Sequence, residues 1–423
     1  MRQGLGLMVG GAALLLCVPA LAQVPFDPDA ATRAYMSTLQ GAARARSDAY
    51  FEGGYWLILW GALVGIGVDL LLLETGVIRR LSAFAARLRR SLAGRTLVFG
   101  LVYGLLTALL TLPYTIYEGF WREHDYGLSN QTFAAFMGDW GKQLVIGTIL
   151  GALVFIPILL LVRRRPNSWW AWSTLVVMAA FTFGIALAPV FIEPLFNKYA
   201  PMAEGPLREQ ILSLARENGV PATNVFVVDA SRQTKKIRAN VSGLGGTTRI
   251  ALNDNLLNTR DPAVIKAVMG HEMGHYVLGH VWKSLIQFLL LIGTMLFLIS
   301  RAVPALLRWR GEHWGVTTIA DPAVISVAAL VLTLLFAAAR PVINRIVYTQ
   351  EAEADIFGLN AAREPDGFAR VAMMLSQYRK IEPGVWEERL FFDHPSGRAR
   401  VAMAMRWKAE ELRRAGQPVV PPK

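Results

Sequence analysis

The chain is short of cysteine and of charge, and one stretch of it has no acid. A single cysteine, Cys17, in 423 residues rules out an intrachain disulfide. Charged residues make up 17% and hydrophobic ones 54%, where ordinary soluble proteins carry about 25% charge. That balance excludes both a wholly soluble protein and a disordered chain. Residues 79–95 hold six arginines (Arg79, Arg80, Arg87, Arg89, Arg90, Arg95) and neither Asp nor Glu. Arg163, Arg164, Arg165, Arg301, Arg308 and Arg310 bring the number to twelve, the whole of the formal net charge of +12. A nucleic-acid-binding domain would spread its basic residues over one folded face. These lie in short segments between apolar runs, as the positive-inside rule expects of cytoplasmic loops, so nucleic acid is not an expected partner.

Membrane-length apolar runs are plentiful. Leu5 to Ala22 follows Met1-Arg2 and ends in Ala20-Leu21-Ala22, the pattern of a secretory signal peptide over 1–22. Uncleaved, the same segment would be a signal anchor. Leu16, before Cys17, argues against a lipoprotein. Six further runs, about 55–78, 96–117, 144–162, 168–191, 284–303 and 321–343, are long enough to cross a bilayer. Tyr55, Trp56, Trp169, Trp170 and Trp172 sit at run ends, as interfacial aromatics do. Asp69 lies inside the first run and faces either a water-filled cavity or the nearby membrane end.

This divides the chain into a membrane region with four spans (23–193), a polar insertion (194–283), two further spans (284–343) and a C-terminal part (344–423). Within the insertion, 206–218 reads as an amphipathic helix and Asn224 to Asp229 as a short buried strand. Residues 237–243 and 249–253 read as two strands around a turn at 245–248. Asp261-Pro262 opens a capped helix expected to run to about Ser284. With the arginine segments cytoplasmic, the insertion and the C-terminal part fall on the opposite face.

The chemistry concentrates at His271-Glu272-Met273-Gly274-His275. Residues i and i+4 share a helix face, so both imidazoles can bind one Zn²⁺ with Glu272 beside the open coordination position as general base. His280, nine residues after His271, falls on the opposite helix face and misses the spacing of a three-histidine motif, so it reads as a structural hydrogen-bonding residue. Glu351 is the better third ligand, because Glu351 and Asp355 share a face that Glu353 does not. Asp355 is then placed to accept the other ring N–H of a ligand histidine. His394, before Pro395 and six residues ahead of Arg400, is either an oxyanion donor brought in from elsewhere in the chain or a surface histidine at a turn.

Val268 to His280, with Leu112-Pro113 to Lys142, Glu193 to Tyr199, Arg249 to Leu252, Glu351 to Phe357, and His394-Pro395 with Arg400, resembles the type I CAAX prenyl endopeptidases in content and order. These are integral-membrane zinc proteases related to a bacterial heat-shock membrane protease. The resemblance covers nearly all of the chain after about residue 50. It implies a mainly α fold: a polytopic helical barrel around a large chamber, with a split zinc metalloprotease domain carrying a small β-element. It implies one zinc on His271, His275 and Glu351, Glu272 as base, Asp355 as partner to a ligand histidine, and His394 and Arg400 assisting. The substrate edge strand would comprise Ala239, Asn240, Val241, Ser242 and Gly243. Where the family often places Asn-Ala on that strand, this chain has Arg238-Ala239.

The expected activity is therefore zinc-dependent peptide-bond hydrolysis at a membrane. The partners are a peptide or protein substrate, lipidated or not, and membrane lipids. The alternatives are a quality-control protease without prenyl substrates and a non-enzymatic transporter or scaffold. The positive-inside argument puts the catalytic part on the periplasmic side of a bacterial inner membrane.

Overall fold

The computed structural model describes residues 25–243 and 248–421. The signal segment 1–22, Cys17 and most of the turn at 245–248 lie outside the described residues. The N-terminal half contains α1 (Pro28–Met36), α2 (Gly41–Glu74), α3 (Val77–Leu88), α4 (Leu92–Ile116), α5 (Arg122–Asp125), α6 (Phe133–Arg164) and α7 (Trp169–Leu187). A π-turn at Tyr117–Trp121 joins α4 to α5. The sheet strands β1 (Tyr199–Pro201), β2 (Val225–Val228), β3 (Ala239–Ser242) and β4 (Arg249–Asn253) surround α8 (Pro206–Glu217) in the sequence. Then come α9 (Asp254–Leu257), α10 (Pro262–Val277), α11 (His280–Trp314), α12 (Val324–Ala362), α13 (Pro365–Leu375), α14 (Val385–Phe391) and α15 (Gly397–Arg414).

Among the described residues, six helices are long and apolar enough to cross a membrane: Gly41–Glu74, Leu92–Asp125, Phe133–Arg164, Trp169–Leu195, His280–Trp314 and Val324–Ala362. Only 11–33% of the residues in their most apolar stretches are buried within the protein, and Leu63, Leu109, Leu153, Phe183 and Leu290 stay exposed. Apolar surface of that extent needs lipid around it.

The helices reach past the apolar runs at their polar ends, which corrects the arginine reading. Arg79, Arg80 and Arg87 lie on α3, an amphipathic helix burying Ile78, Leu81 and Ala85, and Arg301, Arg308 and Arg310 lie on α11. Acids share that end. Arg310 Nη2 and Trp314 Nε1 donate to Glu74 at 3.3 and 2.9 Å, and Arg95 Nη2 donates to Asp321 at 3.1 Å. These contacts tie the end of α2 to that of α11, and the start of α4 to that of α12, on one face. The opposite face carries the sheet, α10, α13 and α15. Phe26 pairs with Val419 there, and α1 packs against that same layer.

The sheet has strand order β1-β2-β4-β3, with β2 and β4 parallel and the other pairs antiparallel. Ile250, Leu252, Val225 and Leu256 pack with Ile265, Met269 and Met273 of α10 in one apolar core. β3 is left as an edge strand over the helix that carries the two histidines.

Candidate metal centre

α10 starts where expected. The Asp261 side chain accepts from the Ala263 and Val264 amides at 3.1 and 3.3 Å, and Pro262 occupies the first turn. Arg370 of α13 clamps the same carboxylate at 2.8 and 3.3 Å, fixing the helix entry. Its end is a correction. The helix stops at Val277, not near Ser284, because Gly279 takes φ 66° and starts α11 at His280. The break swings His280 back toward α10, so it is not on the opposite face: its Nδ1 lies 2.8 Å from His275 Nδ1.

α10 and α12 meet through glycine. A Cβ on Gly358 would stand 2.8 Å from the His271 amide nitrogen, and one on Gly270 would stand 2.9 Å from the Gly358 carbonyl oxygen. Small residues at this crossing let the two backbones touch, which brings Glu351 and Asp355 onto the histidine face. Gly358→Val should therefore force the helices apart, destabilising the protein by about 1–3 kcal/mol and weakening metal retention. Thermal unfolding and metal content measured on the purified variant check both effects.

His271, His275 and Glu351 offer donor atoms within 4.8 Å of one another. His271 Nε2 is 3.2 Å from His275 Nε2 and 3.2 Å from Glu351 Oε2, and His275 Nε2 is 3.4 Å from Glu351 Oε1. Zinc bonds of about 2.0–2.1 Å set ligand separations of roughly 3.3–3.4 Å in a tetrahedron, so the spacing fits that ion.

The ring partners give the same answer independently. His280 Nε2 donates to Glu353 Oε2 at 3.1 Å, which leaves its Nδ1 free to accept from His275 Nδ1–H. Asp355 Oδ1 lies 2.8 Å from His271 Nδ1, which favours a proton on that ring nitrogen. With both rings neutral, the two Nε2 atoms present lone pairs to each other beside a carboxylate, an arrangement that a cation completes. Burial, then the neighbouring His271, lowers His275 to about 4 and keeps it neutral. For His271 burial opposes protonation, yet Asp355 and Glu351 carry it up to about 10, so the pocket attracts positive charge.

Around this centre the predicted residues divide by role. Burial pushes the Glu272 carboxyl up to about 7, with His271 opposing and Glu351 adding. Glu272 lines the cavity beside the ligands, and no ion pair engages it among the described residues. His394 Nε2 lies 3.1 Å from Glu351 Oε2, and its Nδ1 lies 2.7 Å from Asp393. Buried Arg400 donates from Nε to Asp355 at 2.8 Å and from Nη2 to Glu351 at 3.3 Å. Glu353 points away, to His280 and to Lys283 Nζ at 2.6 Å. Ala239 of the edge strand lines the same cavity, beside Arg238. His280 is the hydrogen-bonding residue expected, but its partner His275 was not foreseen, and Gly279 was the available signal. Sequence reasoning also missed Asp393 and Arg379, which carry no local motif.

The profile described as peptidase family M48 matches residues 201–408, and the one described as CAAX prenyl protease N-terminal, five membrane helices, matches residues 33–198. An uncharacterised metalloprotease of Bacillus subtilis is 30% identical over 316 residues, 73% of each chain. The chain belongs to peptidase family M48. It is an integral-membrane metalloendopeptidase of that family. CAAX prenyl protease 1 of Saccharomyces cerevisiae is 29% identical over 197 residues, 46% of this chain and 44% of that one. The crystal structure of Ste24p from S. mikatae superposes with a TM-score of 0.72 at 21% identity, covering 89% of this chain and 94% of that one. The membrane-helical fold with a small sheet is thus shared with that structure. Between residues 33 and 198 this chain has four long membrane helices and the amphipathic α3.

Proposed function

We propose that this M48 member uses zinc, held by His271, His275 and Glu351, to cleave peptides on the periplasmic face of a bacterial inner membrane. The observation that carries the reading is the convergence of two Nε2 atoms and one carboxylate at 3.2–3.4 Å, with Glu272 alongside. Bound zinc supplies Lewis acidity, polarising a peptide carbonyl and bringing the pKa of a coordinated water to about 7.

Glu272 takes a proton from the attacking water and returns it to the leaving amine. Asp355 fixes the His271 tautomer, and His280, held by Glu353, fixes that of His275. His394 turns Nε2 toward the cavity while Nδ1–H donates to Asp393; in its imidazolium form, which the two carboxylates favour, Nε2–H is the donor that stabilises the developing oxyanion. Arg400 is engaged by two carboxylates, which suits a positioning role rather than direct contact with substrate. The free edge of β3 suits a substrate lying as an added strand.

Orientation is argued from the arginine-rich face, opposite the metal centre. The positive-inside rule counts Lys and Arg and gives little weight to acids, so Glu74 and Asp321 do not alter it. A periplasmic site favours segments of membrane or exported proteins over cytoplasmic prenylated ones as substrates. Alkaline phosphatase fused after residues 140, 220 and 415 should be active, and fusions after 90 and 165 silent. The opposite pattern would place the centre in the cytoplasm and restore prenylated cytoplasmic proteins as substrates.

A further inference from the structure

A second cavity, of about 560 Å³, adjoins the one at the metal centre and shares Ile237, Arg238, Leu375 and Arg379 with it. Its charged lining is mostly basic: Arg122, Lys236, Arg238, Arg340 and Arg379 against Glu118 and Asp393. Two of the cations are already engaged. Lys236 pairs with Glu123 at 2.9 Å, and Arg122 donates to the Tyr50 carbonyl.

Arg379 is different. Its Nη1 is buried with no hydrogen-bond partner, and it makes no ion pair among the described residues. Asp393, the nearest acid in the lining, is turned to His394 at 2.7 Å. Residues 1–24, 244–247 and 422–423 contain no Asp or Glu to supply one. Burial, then Arg400, depresses the Arg379 pKa, and Asp393 offsets this only in part. A half-buried guanidinium whose Nη1 is enclosed and unpartnered gains from a ligand that completes it, and its planar fork matches a carboxylate.

We propose that this cavity receives a carboxylate of the substrate, held by Arg379 and flanked by Arg238, while a nearby peptide bond lies at Glu272. The inference rests on the endopeptidase reading and names the chemistry that the site selects. The carboxylate is either an acidic side chain or the free C-terminus of the peptide, and both present the same group to the same fork. The basic excess of the lining favours acidic segments next to the metal centre.

The test uses the full-length, zinc-loaded protein in detergent and matched peptides. One series moves a Glu through the positions flanking the cleaved bond, with Gln as its isostere; another compares free and amidated C-termini. The carboxylate should raise kcat/KM by about 10–100-fold at one position, mainly through KM. That ratio should fall toward one in Arg379→Gln and recover in part in Arg379→Lys. A gain confined to internal Glu identifies a side chain, and a gain confined to free C-termini identifies the terminus.

A ratio near one in the wild type overturns the proposal without any variant. So does a preference that survives in folded Arg379→Gln. Should that variant fail to fold, Arg238→Gln, at an exposed position, takes its place, and an unaltered ratio there counts against the proposal. Failure of the wild type to cleave any peptide would sink the endopeptidase reading itself. Cleavage without carboxylate preference would sink this inference alone.

Discussion

Replacing Glu272 by glutamine will leave the metal in place and lower peptide cleavage by about 10²–10⁴-fold, the contribution of a positioned general base. Glutamine keeps the shape of the side chain and removes only its basicity. None of the converging donor atoms belongs to residue 272, since they come from His271, His275 and Glu351, so the metal should stay. Glu272 makes no ion pair among the described residues, so replacing it disturbs none that holds α10. Circular dichroism and thermal unfolding should match the wild type while turnover collapses. A folded Glu272→Gln protein that cleaves at nearly the wild-type rate would refute the assigned mechanism.

Why Glu272 was legible, and Arg379 was not, is a matter of sequence range. The two histidines and the glutamate lie within one turn and a half of a capped helix, where 3.6-residue periodicity dictates which side chains share a face. The same rule paired Glu351 with Asp355 and set Glu353 aside, and α12 keeps all three in helical phase. The apolar runs announced six membrane helices because bilayer thickness demands a minimum length.

The expected helix from Asp261 to about Ser284 ran too far because apolar residues continue on both sides of Gly279. Only its left-handed backbone, free of Cβ strain, separates α10 from α11. The arginine segments read as loops because charge marks a membrane end without saying whether the backbone there is helical. Arg400 reaches Asp355 across 45 positions, and Arg379 lies in the connection between α13 and α14. Contacts of that kind depend on how α12, α13 and α15 pack, which no local pattern encodes.

The second large effect separates two glutamates two residues apart. Glu351→Ala removes one of three donors and leaves the Arg400 Nη2 and the His394 Nε2 without their carboxylate partner. Zinc should be lost, and activity with it. Glu351→Gln, which keeps volume and a carbonyl oxygen, separates loss of the donor from collapse of packing. Glu353→Ala removes only the acceptor that orients His280. Outer partners of this kind are worth about 10–100-fold in metal affinity, so this variant should still fill at saturating zinc.

Elemental analysis of the three folded, zinc-dialysed proteins is the most direct measurement of the central claim. One zinc per chain is expected in the wild type, near none in Glu351→Ala, and one per chain in Glu353→Ala. Zinc retained in Glu351→Ala and lost in Glu353→Ala, or no zinc in an active wild type, would contradict that claim.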